Sequence, residues 1–207
     1  MKVISYILYK ILYWIDSLFR FFLRKSFLAW FKEFIQEDSY KKIKIFNNKI
    51  IFFIPNKLTE WRVDTIFKAE PETLNWIDNF NTNEKIIFWD IGSNIGLYSI
   101  YAALKHSDIE VVSFEPSTSN LRVLSRNISI NNLENKIKIN QFPLTDKENK
   151  YLMMKEGQFM EGGALNSFNE NYDFEGNKFQ SSQNYKIYGT SINYILKNNF
   201  LNVPNYI

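Results

Sequence analysis

The chain has 207 residues with 25 Lys and Arg against 22 Asp and Glu, a formal net charge of +3, and is 45% hydrophobic and 17% aromatic. That is enough apolar material for one packed domain with an additional segment, which excludes wholesale disorder, and so small a charge gives no ground for a nucleic-acid partner. The lack of cysteine excludes disulfides, thiolate metal sites and cysteine nucleophiles and fits a reducing compartment; no metal site is expected.

The first 25 residues, MKVISYILYKILYWIDSLFRFFLRK, are crowded with aromatics. Lys10, Asp16, Arg20, Arg24 and Lys25 break up any apolar run near the roughly 20 residues needed to span a bilayer. On a helical wheel Lys2, Ser5, Lys10, Asp16, Ser17, Arg20 and Arg24 gather on one side. Val3, Ile4, Ile7, Leu8, Ile11, Trp14, Leu18 and Phe22 take the wider remainder. A second short helix is expected over 26–36, capped by Ser26. Two readings stand for this 1–38 extension. It is a helix docked on the body or on a second copy of the chain, or an interfacial helix making peripheral membrane contact through residues 1–36. The expected location is accordingly cytoplasmic, or at the inner face of the membrane.

A hairpin with Asn47-Asn48 at its tip is expected over 41–54, ended by Pro55. Glu70-Pro71-Glu72 opens a helix, with proline in the first turn and the acids at the positive end of the dipole. Residues 39–82 thus form a lead into the core, and 83–207 form the main domain. Within it, strands at 86–90, 110–114 and 137–142 alternate with helices at 94–105 and 117–130. Short connections and strands apolar on both faces mean a parallel sheet covered by helices, half of a doubly wound α/β fold. Beyond Pro143 a strand is expected near 151–155. A polar loop follows over 161–184, then a strand at 185–188, a helix at 190–199, and the start of one more strand within 201–207.

The chemistry concentrates in FWDIGSNIGLYS, residues 88–99, at the carboxyl edge of the first strand. In an open parallel sheet ligands bind beyond that edge. Gly92 lets the backbone turn sharply, and Gly96 removes a side chain from the helix end facing the ligand. Glu115, ending the second strand, is placed to accept both hydroxyls of a ribose. The glycine spacing is G-x-x-x-G, not the G-x-G-x-x-G of dinucleotide sites, and a nicotinamide-dependent dehydrogenase would need glycine where Asn94 stands. Asp90 would repel a pyrophosphate but suits a cationic cofactor such as S-adenosylmethionine.

FWDIGSNIGLYSIYAA, VVSFEPSTSNLRVLSRNISINNL and IKINQFPLTD together resemble the FkbM family of S-adenosylmethionine-dependent methyltransferases over about residues 70–207. The shared patterns are D-I-G-x-N-x-G, F-E-P-x-x-x-N-x-x-x-L and the following N-x-x-x-N. The resemblance implies a Rossmann-like class I methyltransferase fold and O-methylation of a sugar or other small hydroxylated acceptor. It also implies that Asp90, Gly92, Ser93, Asn94 and Gly96 surround the methionine part of S-adenosyl-L-methionine, Glu115 binds the ribose, and Phe142 lies near the adenine.

In the family, the strand after a helix like TSINYILKNNF runs on with acidic residues beside the acceptor, whereas here the sequence reaches Asn205-Tyr206-Ile207. The first strand is therefore expected to have an unpaired edge, and the pocket to lack a wall and bind the cofactor weakly or not at all. The alternative to an enzyme is an inactive remnant or a half-domain that depends on a partner. No catalytic base is nominated. The one histidine, His106, is expected as an exposed loop or cap residue on the far edge of the sheet, Asp146 as a turn former, and 162–166 as a loop over the acceptor.

Overall fold

The computed structural model describes residues 1–81, 83–172 and 175–207; part of the polar loop expected at 161–184 falls outside these. The chain divides into two compact units, Met1–Tyr40 and Lys41–Ile207.

The first unit is a helical hairpin of α1 (Lys2–Leu23) and α2 (Leu28–Glu37). The chain leaves α1 through Arg24 in the left-handed region. Asp16, expected on the polar outer side, is instead buried at 1% exposure. Its carboxylate accepts hydrogen bonds from the Ser26 hydroxyl (2.9 Å), the Leu28 amide (3.1 Å) and Arg20 Nε (3.0 Å). Ser26 therefore does not cap the second helix. Asp16 satisfies a free amide at the start of α2 from across the turn, and Ser26 serves Asp16. Much of the apolar surface of this unit remains exposed, including Val3, Trp14, Phe21, Phe22, Trp30 and Ile35. Among the described residues no helix is long and apolar enough to cross a membrane.

Strand β1 (Tyr40–Ile45) begins on the last residue of the first unit and, with β2 (Asn48–Phe53), opens the second. Their turn is at Phe46-Asn47, one residue earlier than expected, with Phe46 itself left-handed at φ 52°. Helix α3 (Lys57–Thr65) follows, which the apolar pattern does not announce. It is fixed by a reciprocal cap, in which the Asn56 side chain accepts from the Thr59 amide (2.9 Å) and Thr59 Oγ1 accepts from the Asn56 amide. Helix α4 (Pro71–Asp78) starts on Pro71 as expected.

The central sheet is parallel, of β3 (Ile86–Ile91), β4 (Ile109–Phe114) and β5 (Ile137–Asn140), in that order. It alternates with α5 (Leu97–Lys105) and α6 (Thr118–Ser129), a Rossmann-like α/β arrangement. Helix α5 begins three residues later than expected, because Asn94 (φ 52°) and Gly96 (φ 86°) are left-handed and hold the chain in a turn. Past β5, the strands β6 (Lys150–Glu156), β7 (Ser167–Phe168) and β8 (Gln183–Gly189) form a separate antiparallel sheet in the order β7-β6-β8, so part of the expected loop is strand. Helix α7 (Ile192–Lys197) then puts Ile195 against Ile87, Trp89, Val112 and Phe114 of the central sheet.

The edge of β3 is not bare. Trp89 donates its amide to the Tyr206 carbonyl (2.9 Å), the amides of Asn205 and Tyr206 reach the Ile87 carbonyl, and Asn205 Oδ1 accepts from the Ile87 amide (2.6 Å). Phe88 and Tyr206 form a parallel bridge, and the Tyr206 ring stacks on Phe80 at 3.8 Å. The first strand is thus flanked on one side by β4 and on the other by a segment much later in sequence, the topology that opens a crevice at strand ends.

His106 is also corrected. It caps the end of α5, but it is buried at 5% exposure, with Nε2 2.8 Å from the Ile77 carbonyl and its ring stacked on Phe80. Asp146 lies in a bend, where Thr145 Oγ1 donates to its carboxylate.

Candidate functional site

At the carboxyl ends of β3 and β4 the chain makes a turn with no side chain of its own in the way. The amides of Gly92 and Ser93 both donate to the Phe114 carbonyl (2.8 and 3.0 Å), which ties the turn to the end of β4. Gly92 sits at φ 78°, and a Cβ there would meet nothing within 4 Å, so the turn faces open space. Asn94, also left-handed, aims its amide at Glu115 Oε2 (2.8 Å), while Glu115 Oε1 accepts from the Ser117 amide (2.8 Å). Glu115 is thereby clamped between the two βα turns, and the Asn120 side chain also favours its charged form.

Two cavities meet at this turn. The first, about 420 Å³, is lined by Gly92, Asn94, Glu115, Phe142, Leu144 and Met154, among others. The second, about 330 Å³, is lined by Asp90, Gly92, Ser93 and Asn94 together with Arg62, Glu70 and Tyr98. Ala164 and Asn94 border both. The divider is the 161–166 loop, folded down and tied in place. Asn94 Nδ2 and Asn120 Nδ2 donate to the Gly163 carbonyl (2.7 and 3.0 Å), the Gly162 amide donates to Asn120 Oδ1 (2.8 Å), and Arg62 Nε donates to the Gly162 carbonyl (2.6 Å).

Two buried carboxyls dominate the electrostatics of the turn. Burial pushes the Asp90 carboxyl up to about 6, against a hydrogen bond from the Ser99 hydroxyl that favours the charged form. Burial pushes Glu115 up to about 7, opposed by the amides of Ser117 and Asn94, and the nearby carboxyl of Glu156 pushes in the same upward direction. Two buried polar atoms on the wall of the first cavity, Asn94 Oδ1 and Asn166 Oδ1, find no partner among the described residues. Acceptors without donors beside raised carboxyls fit a ligand that brings hydroxyls, amino groups or positive charge.

Of the residues singled out in the sequence, Asp90, Gly92, Ser93, Asn94, Glu115 and Phe142 line these cavities. Gly96 lines neither. It is the N-cap of α5 at φ 86°, and a Cβ there would stand 2.6 Å from Leu124 Cδ1 on α6, so its glycine serves the turn and the helix packing. The N-x-x-x-N pattern is structural too. Asn127 Oδ1 and Asn131 Oδ1 accept from the amides of Phe53 and Ile51 (2.8 and 2.9 Å), pinning β2 to α6. Arg62 and Tyr98 were missed. The Asn56–Thr59 cap was the available signal for the helix that carries Arg62.

No family model matches the chain. It is similar to the methyltransferase sdnD of Sordaria araneosa, with 36% identity over 69 residues, which is 33% of this chain and 26% of that protein. The chain therefore matches about a quarter of that relative's length. Among solved structures, the S-adenosylmethionine-dependent methyltransferase of Agrobacterium tumefaciens superposes over 50% of this chain and 32% of its own, with 13% identity and a TM-score of 0.38. A transferase of Pyrococcus horikoshii does so over 51% and 37%, with 16% identity and a TM-score of 0.36.

Proposed function

We propose that the chain is an S-adenosylmethionine-dependent methyltransferase of the FkbM type, acting on a hydroxyl of a sugar or other small metabolite. The reading is carried by one observation. Glu115 is clamped by the Asn94 and Ser117 amides at the mouth of a left-handed glycine turn, at the carboxyl edge of a parallel sheet. A carboxyl so held, oriented by fixed donors at the cavity wall, suits the hydroxyls of a ribose. Phe142 and Leu144 give the same cavity an apolar wall for an adenine, and Asp90, Gly92, Ser93 and Asn94 are assigned to the methionine side. Gly96 is left out of the binding set because it packs against Leu124.

When bound, the cofactor supplies an electrophilic methyl group on a positively charged sulfur. The chain's own part is to align donor and acceptor, to exclude water beneath the 161–166 loop, and to surround a cation with carboxyl groups. The similarity to a methyltransferase over 69 residues supports the same reading. Incubation with methyl-labelled S-adenosylmethionine and a panel of sugars and small hydroxylated metabolites tests it. Label on an acceptor hydroxyl that depends on the protein is the expected result; transfer to none of them counts against the reading.

We also propose that the first unit contacts membrane peripherally. Support comes from its exposed aromatics and from its cations Lys2, Lys10, Arg20, Arg24, Lys25 and Lys32, set against the four acids Asp16, Glu33, Glu37 and Asp38, of which Asp16 is buried.

A further inference from the structure

The first unit holds a cavity of its own, of which methyl transfer makes no use. It is about 410 Å³, in the size range of small-ligand sites, and every residue lining it belongs to α1, α2 or the turn between them. Its walls are apolar, with Leu8 and Leu12 from α1 and Leu28, Phe31 and Ile35 from α2. At the turn end Asp16 fixes the two helices to each other. Its buried carboxylate holds Arg20 on its own helix and the Ser26 hydroxyl and Leu28 amide across the turn.

Two cations stand on this wall, Arg20 and Lys32. Arg20 gives its Nε to Asp16, and its guanidinium carbon lies 5.2 Å from the centre of the Tyr13 ring. Its terminal amino groups and the exposed Lys32 ammonium make no hydrogen bond or ion pair among the described residues. Glu33 and Glu37, on the same helix as Lys32, do not line the cavity. An apolar groove with unpaired cations on its rim complements a hydrocarbon chain that ends in an anion. A partner helix, about 10–12 Å across, needs a broader seat. A second copy of the chain would bring the same cations to the groove and repel.

We infer that the groove between α1 and α2 receives one acyl chain of an anionic membrane phospholipid, with Arg20 and Lys32 on its phosphate. The inference rests on the proposed membrane contact of the first unit. It adds to adsorption through exposed aromatics a built site for a single lipid.

Three probes, the lipids kept below their micelle concentrations, separate chain from charge. Lysophosphatidylglycerol has one acyl chain and a negative head, lysophosphatidylcholine the same chain with no net charge, and glycerol phosphate the charge without the chain. Calorimetry on the full chain is expected to show saturable binding of the first, binding of the second weaker by about fivefold or more, and none of the third. Ala29 is exposed and lines the groove, so Ala29→Phe fills it while keeping every charge and every exposed aromatic. That variant is expected to weaken lysophosphatidylglycerol by about tenfold or more at unchanged helix content in circular dichroism. Lys32→Gln, at an exposed position, is expected to weaken it about fivefold and to leave lysophosphatidylcholine within about twofold. Equal binding of lysophosphatidylglycerol by wild type and Ala29→Phe overturns the groove, and equal binding of the two lysolipids by wild type overturns the cationic contact. Flotation of the wild-type chain with phosphatidylserine vesicles leaves the membrane proposal standing in both cases. A dimer in light scattering that Ala29→Phe separates, with no lysolipid bound, overturns the inference in favour of a second copy. Failure of the wild-type chain to float with those vesicles overturns the membrane reading itself.

Discussion

Gly92 and Gly96 sit in one motif and have the same backbone handedness, yet the structure gives them different work. Alanine at 96 meets two costs. The φ of 86° is strained for any residue with a Cβ, about 1–2 kcal/mol, and the new methyl lies 2.6 Å from Leu124 Cδ1. Leu124 is fully buried, so it can yield only by disturbing its neighbours, an overpacking cost of about 1–3 kcal/mol. Gly96→Ala is therefore expected to lower unfolding stability by about 2–5 kcal/mol, a large part of a domain's total. Gly92→Ala has the backbone cost alone, about 1–2 kcal/mol, because nothing lies within 4 Å of its Cβ. Urea unfolding followed by tryptophan fluorescence measures both. In a Leu124→Ala background the collision is gone, and the cost of Gly96→Ala is expected to drop to that of Gly92→Ala. Ligand binding divides the other way, since a methyl at 92 enters both cavities and one at 96 enters neither. Equal costs for the two glycines, or a Gly96→Ala cost untouched by Leu124→Ala, would refute the packing argument.

Three further outcomes follow from the same contacts. The unfolded chain ionises Asp90 and Glu115 at ordinary carboxylate values and the folded chain only at about 6 and about 7, so between about pH 4 and 7 these two groups make stability fall as pH rises. Asp90→Asn is expected to remove about 3 kcal/mol of that fall, read from unfolding curves across the window; parallel curves for variant and wild type contradict it. Asn120→Ala removes both bonds that tie Asn120 to Gly162 and Gly163 and is expected to raise amide exchange in the 161–166 loop by about tenfold or more; unchanged exchange means the loop is held elsewhere. The full chain is expected to float with phosphatidylserine vesicles more than with neutral ones, less at high salt, and less again after Phe21→Ser and Phe22→Ser, whose side chains are exposed; recovery independent of lipid charge contradicts the membrane proposal.

What the sequence disclosed and what it hid follow from range. The run 86–89 is apolar throughout because β3 is buried on both faces there, and that local fact was readable, as was the Gly92 turn with Glu115 beyond it. Helix α3 was not, because LTEWRVD has no apolar stripe; Thr59 and Val63 are buried, and the cap at Asn56 sets its start. The start of α5 was misplaced because left-handed Asn94 and Gly96 leave no mark in hydrophobic periodicity. Pairing of β6 with β8 and of Tyr206 with β3 joins residues far apart in the chain, which no window of sequence contains. Gly96 and Leu124 were both visible as motif positions. Their contact, which explains why both are there, required the fold.

The central claim is that Glu115, held by the Asn94 and Ser117 amides, is the ribose-binding group of an S-adenosylmethionine site. Calorimetric titration of wild type and Glu115→Ala with S-adenosylhomocysteine tests it most directly. With the edge of β3 covered by Asn205 and Tyr206, the account predicts saturable one-site binding by the wild-type chain, in place of the weak or absent binding expected from the sequence. It predicts a loss of about 10- to 100-fold in a variant that still unfolds cooperatively. Binding of equal strength by both proteins, or none by the folded wild type, would contradict it.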